Sequence, residues 1–90
     1  MALLDLLGRR WALRILWELR DSPATFRELQ ERCDGLSPTV LNTRLRELRT
    51  AGIIELDESV GYQTTSHGAG LLRALMPLNA WATNWARRVP

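Results

Sequence analysis

Residues 36–52 constrain the fold of this chain more than any other stretch, because they contain a complete helix with its own start and stop. Ser37 followed by Pro38 is typical of a helix start, since the hydroxyl can cap backbone N–H groups and proline has no N–H to leave unpaired. Gly52 supplies the stop, because glycine readily adopts the left-handed conformation that ends helices. Three leucines recur at helical spacing and predict one apolar stripe: Leu41, Leu45 and Leu48.

The face opposite these leucines carries short hydrogen-bonding side chains and an arginine. At about 100° per residue, its members are Thr39, Asn42, Thr43 and Arg46. A helix anchored by three leucines with such an outer face is typical of a DNA recognition helix. Most amphipathic helices with polar outer faces are simply solvated, so both interpretations stay open for this helix alone.

The composition is that of a single globular domain, residues 1–90, with a core of limited size. Hydrophobic residues make up 46% of the chain and charged residues 24%, which argues against general disorder. No apolar run approaches the roughly 20 residues that a membrane span needs. The first positive charges follow the apolar residues, which is the reverse of a secretory signal. We therefore expect a cytoplasmic protein without membrane partners.

All twelve basic residues are arginines. A GC-rich genome explains this bias without any functional cause, although arginine also suits bidentate contacts to phosphate and guanine. The net charge of +2 is too small to indicate nucleic acid by itself. The single cysteine, Cys33, excludes an intramolecular disulfide and an all-cysteine metal site. We interpret it as a small, partly buried residue at a helix end rather than as a reactive thiol.

Apolar spacing predicts two further helices before residue 36. Residues 3–20 are predicted as a first helix, weakened by Gly8 near its start. Residues 25–26 are predicted as a short extended entry to a second helix, residues 27–33. A turn at residues 34–35 then leads into the leucine-striped helix.

After that helix, the pattern changes to a hairpin and a last helix. Residues 53–56 and 62–65 are predicted as strands joined by a turn. Residues 66–70 lead into the last helix, where Pro77 should produce a kink. The predicted inward side chains of this helix share helical spacing: Leu71, Leu75, Leu78, Ala82 and Trp85.

This order of elements predicts a mainly α fold with a small β-hairpin (α+β), the winged helix-turn-helix. Residues 24–52 would form the helix-turn-helix and residues 53–66 the wing. Residues 1–20 and 68–88 would be terminal helices that form a dimer interface. Their leucines and tryptophans present more apolar surface than one small domain can cover.

A run of motifs, in the same order, resembles the HxlR-type winged-helix regulators. Residues 7–11 are similar to the family's G-G-K-W opening, and residues 36–48 to its I-S-x-x-x-L-x-x-R-L-x-x-L element. Further similarity lies in the first two helices (residues 15–19 and 26–29), the G-L-I wing entry (residues 52–54) and the Y-x-L-T-x-x-G segment (residues 62–68). The resemblance covers nearly the whole chain.

The chain departs from the family's pattern at three places. Family members usually carry a cysteine just before the first helix; this chain begins directly before that helix without it, so we do not expect thiol sensing of that kind. Thr64 replaces the usual wing leucine. Residues 55–66 contain Glu55, Asp57 and Glu58 but no arginine, and such a wing is repelled by phosphate, which lowers the expected DNA affinity.

The resemblance implies which residues contact DNA. The major-groove set would be Ser37, Thr39, Asn42, Thr43 and Arg46. Asparagine suits adenine, and arginine suits guanine or phosphate. Arg27 and Arg49 could reach phosphates, although as solvated charges they need no function. For Arg44, beside the leucine stripe, we expect an intramolecular salt bridge.

The resemblance also implies a homodimer on double-stranded DNA, with half-sites of a pseudo-palindromic operator about 34 Å apart. Tryptophans on the terminal helices have two interpretations. In the first, they fill the core and close the dimer. In the second, three of them line a flat apolar pocket that binds a small aromatic effector; these are Trp11, Trp81 and Trp85.

For catalysis the sequence offers little, and we expect no enzyme, no cofactor and no metal. His67 is the only histidine, and the glycines at positions 61, 68 and 70 lack the spacing of a phosphate-binding loop. The predicted function is a DNA-binding transcriptional regulator that reads its operator through residues 37–50. The alternative is a protein-interaction module on the same scaffold, suggested by the short acidic wing and the small net charge.

Overall fold

A computed structural model describes residues 2–89. The described part contains five helices and one antiparallel hairpin, in the order of a winged helix-turn-helix: α1 (Ala2–Leu7), α2 (Ala12–Glu18), α3 (Phe26–Arg32), α4 (Pro38–Thr50), β1 (Ile54–Asp57), β2 (Gly61–Thr64) and α5 (Ser66–Arg88). The predicted α+β fold class is therefore confirmed. None of the described helices combines the length and the apolar character that crossing a membrane requires.

The core forms where α2, α3 and α4 meet the wing. All three predicted leucines of α4, Leu41, Leu45 and Leu48, are buried and pack with Ile15 and Leu16 of α2. Each buried leucine contributes roughly 2 kcal/mol through its removal from water. Helix α4 is thus fixed to the body through one face, which leaves the opposite face outside.

The predicted first helix, residues 3–20, was wrong as one continuous element. It is divided into α1 and α2 by a joint, residues 8–11, where Trp11 has a φ of 76°. A left-handed conformation ends the helical hydrogen-bond ladder, but it does not disturb the three-to-four spacing of apolar residues. The sequence pattern therefore runs through a break that it cannot reveal. Helix α1 contains no buried residue.

Helix α3 begins one residue earlier than predicted, because Thr25 and Glu28 form a capping box. The Glu28 N–H donates to Thr25 Oγ1 at 3.2 Å, and the Thr25 N–H donates to Glu28 Oε1 at 3.0 Å. The predicted extended entry lies instead at Ala24, which exchanges two backbone hydrogen bonds with Tyr62 of the wing. Through this bridge the wing is attached to the start of the helix-turn-helix.

The two ends of α4 differ in how well they follow the sequence signals. Gly52 adopts a φ of 74°, and the Ile53 N–H donates to the Leu48 carbonyl at 3.0 Å, which completes the predicted glycine stop. At the start, Pro38 occupies the first helical turn as predicted, but the Ser37 side chain makes no capping hydrogen bond. The predicted serine cap was therefore wrong, and Ser37 contributes only the backbone position before the helix.

The wing is a tight antiparallel hairpin with Ile54 opposite Thr64 and Asp57 opposite Gly61. Its turn is held by Asp57, whose carboxylate accepts hydrogen bonds from the Ser59 N–H at 2.7 Å and the Ser59 hydroxyl at 2.5 Å. Gly61 has a φ of 98°, and a Cβ there would lie 2.5 Å from the Ala24 carbonyl oxygen. Only glycine allows this close approach of the wing to the body.

Helix α5 begins at Ser66, so the segment predicted to lead into it is already helical. The Thr65 hydroxyl accepts from the Gly68 N–H at 3.1 Å and caps the helix. Pro77 lies inside a helix that continues to Arg88; the predicted kink stays a prediction. Leu71 and Leu75 pack against the core, but Leu78 and Trp85 are 56% and 52% exposed, so their predicted inward placement was wrong for a single chain.

Candidate nucleic-acid interface

The outer face of α4 carries the predicted base-reading side chains on one side of the molecule. Thr39, Asn42 and Arg46 are exposed, and Thr43 is half-buried between them. Ser37 is exposed immediately before the helix. Because the buried leucines fix the opposite side of α4, this surface is held rigidly by the core. A single exposed α-helix of this kind fits the major groove of DNA.

Within this face, Thr43 differs from its neighbours. Its hydroxyl donates to the Thr39 carbonyl inside the helix at 2.9 Å. The hydroxyl proton is therefore engaged in the helix itself, and the side chain has a methyl group and oxygen lone pairs for other contacts. Asn42 and Arg46 have longer side chains with several donors each, so they are the stronger candidates for reading base edges.

A groove of about 440 Å³ separates the end of α4 from strand β1. Arg46 and Arg49 line its helical side, while Glu55 and Leu56 line the wing side. Glu55 accepts a hydrogen bond from the Gln63 amide at 3.1 Å across the hairpin. The guanidinium groups of Arg46 and Arg49 attract phosphate, and the carboxylate of Glu55 repels it. Attraction for phosphate is therefore expected on the helical side of the groove and not on the wing side.

The remaining predicted phosphate contact, Arg27, is exposed in the first turn of α3. It therefore lies on the other helix of the helix-turn-helix, ahead of the turn that leads into α4. In this fold the first helix crosses the DNA backbone while the second enters the groove, so the position suits a phosphate contact rather than a base contact.

The acidic side chains of the wing hold the hairpin together. Hydrogen bonds from the Ser59 hydroxyl and N–H lower the pKa of Asp57 below its usual value. This carboxylate is therefore charged at neutral pH, in the part of the fold that commonly meets phosphate.

Arg44 forms the intramolecular salt bridge that the sequence predicted, with Glu47 one turn later. Glu47 also pairs with Arg9 at 2.9 Å, and Arg44 Nε donates to the Arg10 carbonyl at 2.9 Å. No local pattern in the sequence indicates the contacts to residues 9 and 10, because 34 or more positions separate the partners. They tie the joint between α1 and α2 to the recognition helix.

The predicted effector tryptophans do not form one cluster within a single chain. Trp81 and Trp85 of α5 stack with ring centroids 6.2 Å apart, and both are more than half exposed. They line a cavity of about 650 Å³ with Asn84, Arg87 and Arg88. Trp11, by contrast, packs half-buried against the core at the joint.

A second, mainly apolar groove of about 330 Å³ lies between α2 and the middle of α5, and sequence reasoning missed it. Leu13, Trp17, Leu75 and Leu78 line it together with Arg14. It could not be recognised in the sequence, because it depends on how two helices far apart in the chain are placed. This groove and the cavity beside Trp81 and Trp85 are both lined by residues of α5.

Cys33 is fully buried in the core and is not bonded to another cysteine. Burial raises the pKa of its thiol, since the thiolate is poorly solvated there. Within residues 2–89, no group of three histidine, cysteine, aspartate or glutamate side chains is placed to hold a metal ion.

Comparison with known protein families gives one match over almost the whole chain, the HxlR-like helix-turn-helix model at residues 6–90. The transcriptional regulator YvaP of Bacillus subtilis is 31% identical over 87 residues, which cover 90% of this chain and 81% of YvaP. The regulator YodB of the same organism is 36% identical over 84 residues, covering 87% of this chain and 75% of YodB.

Solved structures of YodB have the same fold. The quinone-bound form superposes with a TM-score of 0.83 at 34% identity and covers 92% of each chain. The reduced form gives a TM-score of 0.84 at 29% identity and covers 99% of this chain and 93% of YodB. Family, fold and the exposed polar face of α4 agree. This chain belongs to the HxlR-like helix-turn-helix family and is a DNA-binding transcriptional regulator of the winged-helix type.

Proposed function

We propose that the chain acts as a homodimer that reads a pseudo-palindromic operator with one α4 helix in each major-groove half-site. The observation that carries this proposal is the outer face of α4, where Asn42 and Arg46 are exposed on a helix fixed by three buried leucines. The protein would work in the cytoplasm by binding rather than by catalysis. Half-sites would lie about 34 Å apart, one turn of DNA.

The DNA contacts would be divided among three groups of residues. Asn42 and Arg46 would contact base edges, Asn42 preferring adenine and Arg46 guanine. Ser37, Thr39 and Thr43 would contact phosphate or base edges at shorter range. Arg27 and Arg49 would neutralise phosphates, which strengthens binding to any sequence alike. All of these contacts would come from α3, α4 and Ser37 directly before α4, so the wing would have a minor role.

The experiment is selection of bound fragments from genomic DNA, followed by gel-shift titration of the enriched sequence. Arg46→Ala or Asn42→Ala should weaken specific binding by roughly 1–3 kcal/mol per site and relax the preference at one operator position. Arg49→Ala should weaken binding to all sequences and make the salt dependence shallower. Arg20→Ala removes the same charge from an exposed residue that follows α2, outside α3, α4 and the proposed dimer helices, and serves as the control.

Unchanged operator affinity in both Arg46→Ala and Asn42→Ala would remove these residues from the readout. Failure of the wild-type chain to enrich any sequence would favour the alternative, a winged-helix module that binds proteins.

The proposed dimer interface consists of α1 and α5. Helix α1 has no buried residue, and its Leu3 and Leu4 are exposed. On α5, Trp81 and Trp85 are exposed as well. In the proposed dimer these leucines and tryptophans would pack against each other. A six-residue helix is too short to be stable by itself, so it needs an apolar partner. A second copy related by a two-fold axis supplies the same surfaces reciprocally.

Trp85→Ala should raise the dimer dissociation constant at least about tenfold, because a large aromatic side chain leaves the interface. Sedimentation at micromolar concentration measures it, and Leu56→Ala, an exposed apolar residue on the wing, is the control. Operator affinity should fall in parallel. A monomeric wild-type chain, or a Trp85→Ala chain that dimerises as tightly, would contradict this interface.

A small aromatic effector is the remaining part of the proposal. YodB has been solved with a quinone bound, which supports effector response in a relative that shares this fold. In this chain Trp81 and Trp85, with Trp11 brought close by dimerisation, would form the flat aromatic surface. Quenching of tryptophan fluorescence by a quinone in the dimer, absent from Trp85→Ala, tests this assignment.

A further inference from the structure

The joint between α1 and α2 is fastened to the recognition helix by three charged side chains. Arg9 Nε lies 2.9 Å from Glu47 Oε2, and Arg44 Nε donates to the Arg10 carbonyl at 2.9 Å. Arg44 also pairs with Glu47, so the carboxylate joins both arginines. We name Arg9, Arg44 and Glu47 the clamp.

Within the clamp, the pair formed by Arg44 and Glu47 is better shielded than an ordinary surface ion pair, whereas the side chain of Arg9 is 53% exposed. The side chains of Arg44 and Glu47 are only 19% and 23% exposed. Charges that are partly removed from water are screened less by salt than exposed ones. Arg44 uses its guanidinium for a carbonyl and a carboxylate together, which fixes its orientation, since the donor fork is planar.

Besides the clamp, α1 is held by the packing of its half-buried Leu6 against the core and by the backbone hydrogen bonds of the joint. No residue of α1 is fully buried, so this packing alone holds the helix weakly. The joint turns at Trp11, whose φ of 76° is rarely adopted by a residue with a side chain and persists only where the surroundings hold it. Arg9 and Arg10 come directly before this residue, so the clamp holds the joint at the point where the chain changes direction.

Two of the clamp residues, Arg44 and Glu47, lie on α4 between its buried and its outer face. Arg44 and Glu47 alternate in sequence with Thr43 and Arg46 of the predicted readout. Any displacement of α1 therefore changes a contact on the recognition helix itself. Conversely, a fixed clamp makes α1 and α4 one rigid unit.

We propose that Arg9, Arg44 and Glu47 are positioning residues that set the distance and angle between the dimer interface and the recognition helix, and with them the half-site spacing that the dimer accepts. The inference rests on the proposed dimer through α1 and α5. The clamp residues touch no base; they act by holding α1 in a fixed orientation to α4. Adding one base pair moves a half-site by about 3.4 Å and rotates it by about 35°, so a rigid unit discriminates sharply against it.

The test uses the full chain and a series of the selected operator with one or two base pairs removed from or added to the centre. Arg9→Gln breaks the contact between the joint and Glu47 and leaves Arg44 and Glu47 paired. Arg10→Gln removes the same charge one position later and is the matched control; among the salt bridges of residues 2–89, none includes its side chain. Glu47→Gln is the second variant, and its control is Glu18→Gln, from a similarly shielded pair with Arg14.

Wild type should bind the best spacing far more tightly than its neighbours. In Arg9→Gln and Glu47→Gln the ratio of affinities between the best spacing and the next should fall about threefold or more, the effect expected for losing one ion pair. Affinity for DNA with a single half-site should stay within about twofold of wild type, which a general loss of folding would not allow. Both controls should keep the wild-type ratio.

The outcomes separate the inference from the proposed dimer. A wild-type chain with a sharp spacing preference that survives unchanged in Arg9→Gln and Glu47→Gln overturns the clamp and leaves the dimer intact. If Arg10→Gln or Glu18→Gln loses the spacing preference to the same extent, the clamp is overturned as well, because the effect would not depend on the contacts of Arg9 and Glu47. A wild-type chain without any spacing preference overturns the proposed dimer and the clamp together.

Discussion

Gly68 is the residue whose replacement should damage this fold most for its size. It lies in the first turn of α5, and a Cβ added there would lie 2.0 Å from the Ile53 carbonyl oxygen. Real Cβ atoms essentially never approach another atom within 3.0 Å, so Gly68→Ala must push the two backbones apart by about 1 Å. The same carbonyl accepts a hydrogen bond from the Thr65 N–H at 3.1 Å and the longer branch, at 3.2 Å, of the hydroxyl hydrogen bond that Thr65 also makes to the Gly52 carbonyl; both are lost when it retreats.

Two lost hydrogen bonds cost about 1 kcal/mol each, and overpacking costs typically 1–3 kcal/mol. Alanine regains roughly 1 kcal/mol of helix propensity over glycine. The net loss in the free energy of unfolding should be about 2–4 kcal/mol, a large part of the 5–15 kcal/mol of an ordinary domain. The thermal midpoint should fall by roughly 10–25 °C.

Gly70 provides the matched control in the same helix. A Cβ at this position would meet only the Arg73 guanidinium, at 3.7 Å. Gly70→Ala should therefore stabilise the protein by about 0.4–1 kcal/mol. Urea unfolding followed by circular dichroism, at one fixed protein concentration, compares the two variants without a contribution from association. Equal stability of Gly68→Ala and Gly70→Ala would refute the close approach of α5 to the wing entry.

Two further outcomes follow from groups with shifted pKa values. The Cys33 thiol, buried and with a raised pKa, should react with a thiol reagent at least about 100-fold faster in urea than in the native protein, and rapid native labelling would contradict its burial. Hydrogen bonds from the backbone and hydroxyl of Thr25 lower the pKa of Glu28 below its ordinary 4.5, so the carboxylate stabilises the fold above that pH and this contribution is lost as pH falls through the lower, folded-state pKa. Urea midpoints measured between about pH 5 and pH 2 should therefore decline less in Glu28→Gln than in wild type, and parallel curves would exclude this contribution.

Local signals made the recognition helix predictable. Pro38, the leucine stripe and Gly52 all lie within one window, and each acts on its nearest neighbours in the chain. The hairpin strands were also located to within one residue, because alternating side chains and a turn are local features. The local prediction that was wrong is the capping hydrogen bond of the Ser37 side chain. Whether a serine before a helix makes this bond depends on its backbone angles, which the sequence does not determine.

The other departures share a different cause, which is that periodicity reports only the need for burial. The apolar stripe of α5 was predicted to face inward, yet Leu78 and Trp85 extend past the body of this chain. The pattern shows that these side chains need cover but not which chain provides it. The pairing of Arg9 with Glu47 was invisible for a related reason: charged side chains on separate helices are solvated by default, and only the fold brings them together.

The distribution of charge limits how the protein can bind DNA. In the wing, Asp57 is engaged in the hairpin turn and Glu55 in a cross-strand hydrogen bond, so neither carboxylate can be turned away from DNA without loosening the hairpin. In the proposed complex, phosphate neutralisation would therefore come from the helix-turn-helix, where Arg27 and Arg49 are exposed together with the proposed base-reading residue Arg46.

Arg27 and Arg49 would give about four phosphate contacts for the proposed dimer, and counting Arg46 as well, since arginine suits guanine or phosphate, sets an upper bound of about six. Each contact releases counterions and contributes about 0.9 to the slope of log affinity against log salt, so the slope should be no steeper than about −5. Replacing Glu55 with Gln removes one repulsion per copy and should raise the affinity at low salt without changing base preference, because no base contact is altered. Titration of the selected operator at several salt concentrations measures both quantities. A slope well beyond −5 would show that other arginines, at the joint or on α5, also reach the DNA, and the confinement of binding to α3 and α4 would then be wrong.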